Sequence, residues 1–83
     1  KIDEIFEKTK IFFRKNGLLI NWNEFEKLDQ DQKVNTLAMI APISNEEKQT
    51  ILESVRIDAK MKILSDIIEF YLHEKSTDNI TLQ

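Results

Sequence analysis

The stretch from Arg56 to Lys75, RIDAKMKILSDIIEFYLHEK, decides the fold. Ile57, Met61, Leu64, Ile67, Ile68, Tyr71 and Leu72 recur at helical steps and form one broad apolar stripe. Ala59, Ile63 and Phe70 carry that stripe further round the wheel, leaving Asp58, Lys62, Ser65, Asp66, Glu69 and His73 as the polar strip. A helix that is apolar over more than half its circumference has to be covered on several sides. The stretch therefore predicts a hub helix with shorter elements packed around it.

The upstream sequence supplies those elements, each marked by helix punctuation. Ile2, Ile5, Phe6, Thr9, Phe12 and Phe13 share a face and predict a helix over Ile2 to Lys15. Asp3 and Glu4 in its first turn and Arg14 and Lys15 in its last suit the helix dipole, and Gly17 stands where a left-handed terminator belongs. Asn21 with Glu24 reads as a capping box opening a short helix, Trp22 to Lys27, with Ile20 and Phe25 at the staple positions and Trp22 anchoring the turn. Asp29 with Gln32 opens a helix over Gln30 to Ile40, whose inner face is Val34, Leu37, Ala38 and Ala41. Pro42 ends it, because the residue before proline avoids helical angles. Ser44 with Glu47 opens the next helix, Asn45 to Glu53, with Ile51 and Leu52 facing inward.

With one Gly and one Pro in 83 residues, turn formers are too scarce for a sheet-rich domain. The expectation is an all-α fold: a small bundle of four to five helices over residues 1–75, the last helix central, and a frayed tail over 76–83.

Composition narrows function by exclusion. The net charge is −3 and Lys and Arg are mixed with Asp and Glu throughout, so nothing resembles the clustered positive charge that phosphate backbones require. With no cysteine there is no disulfide framework and no thiolate metal site. No apolar run approaches the ~20 residues that span a bilayer, and no secretory leader is visible. The expected setting is cytoplasmic, without nucleic-acid or membrane partners. A start at Lys1 rather than Met reads as a segment of something longer.

Few residues are of a type and spacing that carry chemistry. Ser44 is accounted for as a cap, and Ser54 and Ser65 lack a nearby His or a glycine elbow. His73 is the only His and sits near a helix C-terminus, where partial positive charge suits the dipole. One His does not make a zinc site. Asp66, Glu69 and His73 share a face and are the nearest thing to a catalytic group, but they lie on the polar strip, where a solvated surface accounts for them. One Gly excludes the phosphate-cradling loops. Asp29 to Gln32 resembles the start of a calcium loop without its Gly or its distal Glu. The chain is therefore expected to be non-enzymatic, with no catalytic, metal or cofactor residues. Binding is better represented. Ile11, Leu18, Leu19, Met39 and Ile40 fall off the inner faces, and they either close over the hub or form a protein-contact surface.

Residues 34–53, VNTLAMIAPISNEEKQTILE, carry a resemblance. Leu37-Ala38-Met39, Pro42, Glu47-Lys48-Gln49 and Ile51-Leu52-Glu53 resemble the helical part of the Lon N-terminal, or substrate-binding, domain. Asn16-Gly17-Leu18 and Asn21-Trp22 resemble the stand-alone bacterial form that lacks the ATPase and protease. The likeness runs from about Gly17 to Leu72, specific over Leu37 to Glu53 and looser elsewhere. Asp58-Ala59-Lys60-Met61 stands where the family carries an Arg early in the final helix. The β-rich subdomain that precedes the helices in the family has no counterpart here, nor do the ATPase and Ser–Lys protease of ATP-dependent Lon. The resemblance thus implies the helical subdomain alone. It further implies recognition of unfolded or partly folded polypeptides, with some role in assembly. The alternative is a structural or self-associating module, motivated by the near-heptad spacing of Ile57, Met61, Leu64, Ile68 and Tyr71.

Overall fold

Phe6, Thr9, Phe12 and Phe13 make a continuous buried face on the first helix, α1 (Ile2–Lys15), because they recur with the helical period. The computed structural model describes the backbone of residues 2–81 and the side chains of residues 3–73. Thr9 is buried without cost from an unpaired hydroxyl, since its Oγ1 donates to the Ile5 carbonyl at 2.8 Å. Gly17, at φ +74°, ends α1. The Gly17 N–H reaches the Arg14 carbonyl and the Leu18 N–H the Phe13 carbonyl, the paired bonds of a Schellman terminus.

The next helix, α2 (Trp22–Phe25), is shorter than the expected span to Lys27. Asn21 caps it by accepting from the Glu24 N–H at 3.2 Å, but the reciprocal arm of the expected box is missing because the Glu24 carboxylate turns to Lys27. Phe25 is the residue this turn buries, meeting Phe6 edge-on at 5.7 Å. Trp22, only half-buried, packs beside Phe13 and Phe25.

Full capping boxes open α3 (Gln30–Ile40) at Asp29/Gln32 and α4 (Asn45–Glu53) at Ser44/Glu47. Val34, Leu37, Ala38 and Ala41 are buried as expected. Between α3 and α4 the chain turns sharply about Pro42, with the Ile43 N–H donating to the Ala41 carbonyl at 2.8 Å, and Ile43 drops into the core. On α4, Ile51 is fully buried but Leu52 is 42% exposed, correcting the expectation that both face inward. Adjacent residues on a helix diverge by about 100° and do not share a face.

The long helix α5 (Ile57–Thr81) packs against α1, α3 and α4, and Leu64 and Ile68 are its fully buried centre. The fold is all-α, five helices among the described residues with the last one central. Two corrections apply to α5. It continues to Thr81, past the expected helix end at Lys75; no Gly or Pro follows Pro42 to stop it, and Leu82 and Gln83, in the stretch expected to fray, lie outside the described residues. Its apolar arc is also less fully covered than expected: Ile57, Met61, Ile63, Ile67, Tyr71 and Leu72 are half-buried, and Phe70 is exposed.

Candidate contact surface

Four positions of the expected contact surface are open to solvent: Ile11, Leu19, Met39 and Ile40. Leu18 is the exception, half-buried against the core beside Ile20 and Trp22. The Schellman turn explains the split. It folds Leu18 back over Phe13 and leaves the next residue, Leu19, pointing away and 97% exposed. Ile11 projects from the outer side of α1. Met39 and Ile40 occupy the last turn of α3, where the Met39 carbonyl is capped by the Lys48 ammonium from α4.

Leu52, Val55 and Phe70 are exposed apolar residues that the sequence reading did not assign to this surface. Val55 sits in the short α4–α5 link and is 93% exposed. The signal that marked Leu19, an apolar residue in a connector, would have marked Val55 too. Phe70 stacks edge-on against Tyr71 at 5.8 Å while leaving its outer face open.

Several charged groups elsewhere on the surface form pairs. Lys8 on α1 bonds Glu69 on α5, and that partner holds the Lys8 ammonium above its ordinary pKa. Lys62 pairs with Asp66 at 3.1 Å, and Arg56 forks onto Asp58 just ahead of and within the first turn of α5. That fork raises Arg56 and, with the Ala59 N–H, lowers Asp58. Lys33 reaches Glu26 at 3.1 Å while its ammonium lies over the Phe6 and Phe25 rings. The Glu47 carboxylate joins α4 to α5. Partial burial pushes it up, but the Tyr71 hydroxyl at 2.6 Å and the bonds to Ser44 outweigh that and hold it below its ordinary value.

Asp66, Glu69 and His73 lie on the polar strip of α5. Lys62 and Lys8 take up the two carboxylates, and His73 is exposed. Among the described residues no group of three or more His, Asp or Glu side chains is placed to hold a metal. No helix there is long and apolar enough to cross a membrane. Comparison with known protein families, with curated proteins and with solved structures finds no match to this chain.

Proposed function

We propose that the chain is a non-catalytic polypeptide-binding module of the Lon substrate-recognition type, with unfolded or partly folded protein as its partner. One observation carries this reading. The block of specific resemblance, Leu37 to Glu53, forms a single α3–α4 corner with Leu37, Ala38, Ala41, Ile43 and Ile51 inside and Met39, Ile40 and Leu52 outside. The inner residues hold the corner's shape. The outer ones leave apolar surface that the chain's own core does not use, the usual mark of a contact site. The same reading carries a bacterial, cytoplasmic setting and needs no cofactor.

Fluorescence anisotropy of labelled casein with the full-length protein tests it, beside a folded control of similar size. Saturable binding of the unfolded chain and none of the folded one is expected. No binding of casein overturns the reading.

Self-assembly through α5 is a second reading, favoured by the exposed ring of Phe70. Leu64 and Ile68 are consumed in the core, so a second copy would meet α5 on the side of Ile63 and Phe70. Sedimentation equilibrium separates the two. A monomer at high concentration removes this reading.

A further inference from the structure

The α1–α2 connector combines three features found together nowhere else among the described residues. First, Phe13, Leu18, Ile20 and Trp22 line a shallow depression beside it. Second, Leu19 stands on its edge almost fully exposed, and the Leu19 and Ile20 N–H groups donate to no group within the described residues. An exposed leucine stabilises nothing in its own fold, and an unpaired amide is left for solvent or a partner. Third, the depression is rimmed by cations. Lys10 has its ammonium 5.4 Å over the Trp22 ring and only a long 3.4 Å contact to Glu7. Arg14 has no acidic partner among the described residues.

The other depressions lack this combination. In the α1–α5 groove both cations, Lys8 and Lys62, are taken up in ion pairs, and the lining charge outside the ion pairs is the Glu4 carboxylate. At the α1–α3 side Lys33 is bound by Glu26. The depression on α4 has Leu52 as its one apolar residue. In a chain of net charge −3, unspent positive charge beside an apolar floor selects a partner of opposite sign.

We propose that this depression docks a polypeptide segment carrying a large apolar side chain next to a carboxylate. The apolar group covers Phe13, Leu18, Ile20 and Trp22 beside Leu19, and the carboxylate takes the Arg14 guanidinium, whose planar fork suits it. The proposal rests on the polypeptide-binding reading above and adds to the α3–α4 corner a second site, on the α1–α2 connector, with the chemistry it selects.

Three labelled peptides of equal length test it, each bearing the same leucines flanked by Asp, by Asn or by Lys, titrated against the full-length protein. The Asp peptide binds most tightly, and added salt reduces its advantage. Arg14→Glu weakens the Asp peptide by roughly tenfold or more and moves the preference to the Lys peptide, while Leu19→Ser weakens all three by a similar factor. Val55→Ser in the α4–α5 link, an equally exposed apolar position outside both surfaces, changes none of them. Equal binding of the three peptides, or indifference to both connector substitutions, overturns the proposal. Casein is titrated in parallel. Undiminished casein binding by the Arg14 and Leu19 variants removes this site while leaving the polypeptide-binding reading intact; no casein binding by the unaltered protein removes both.

Discussion

Gly17 is the one described residue with a positive φ, at +74°. A Cβ built there would meet nothing within 4 Å, so the glycine is required by backbone conformation and not by space. Gly17→Ala is therefore expected to cost about 1–2 kcal/mol, the penalty of holding an L-residue in the left-handed region. Gly17→Asn should recover part of that loss, because asparagine tolerates the conformation better. Urea midpoints of the three proteins check the order Gly, Asn, Ala. A fall for Asn as large as for Ala would point to a packing role instead. The signal was local enough to read from Gly17 and the basic turn before it. What the sequence could not show is that this turn folds Leu18 inward and casts Leu19 out, since that depends on where Phe13 lies in the assembled core.

At the scale of the element, the cap of α4 is tied to the side of α5. Glu47 Oε1 accepts both the Ser44 N–H at 2.9 Å and the Tyr71 hydroxyl at 2.6 Å. Because the folded-state pKa of Glu47 lies below its ordinary value of 4.5, its contribution to stability is fully present above that value. It is lost as pH falls through the lower, folded value. Tyr71→Phe removes one of the two donors and should cost about 1 kcal/mol at neutral pH. It should also flatten the acid limb of the stability curve below pH 4.5. Chemical denaturation from neutral to acidic pH checks both, and an unchanged acid slope would show that Tyr71 does not hold the charged form. Ser44→Ala should cost about 1 kcal/mol by loss of the cap alone. These boxes were legible because their chemistry spans three residues of sequence. Tyr71 as a partner was not, being 24 residues away. Boundaries failed where no local breaker decides them. The end of α5 has neither Gly nor Pro, and the arm of Glu24 that would have closed the cap of α2 went to Lys27.

At the scale of the whole molecule, α5 sets the long dimension. Twenty-five residues at about 1.5 Å per residue make a rod of roughly 37 Å, within a molecule 43 Å along its longest axis. The shorter helices can cover only part of such a rod, which is why the wide apolar arc of the sequence became a fully buried centre with half-covered flanks. Hydrophobic periodicity identified the arc but could not apportion it, because exposure at Phe70, Leu19 or Met39 depends on what lies across from each. The apportionment makes a paired prediction. A domain of this size is stabilised by about 4–12 kcal/mol in total. Leu64, fully buried on the helix that α1, α3 and α4 all contact, should cost ~2–5 kcal/mol when changed to Ala. Its melting temperature should then fall by about 8 °C or more. Phe70→Ala removes a larger side chain from the same helix, yet its ring is 57% exposed and the change should stay within about 0.5 kcal/mol, as for surface positions. Thermal and urea unfolding of the two variants side by side decides the matter. A loss under about 1 kcal/mol for Leu64→Ala would mean that α5 is not the hub, whereas a large loss for Phe70→Ala, combined with a concentration-dependent midpoint, would mean that its outer face is buried in an assembly.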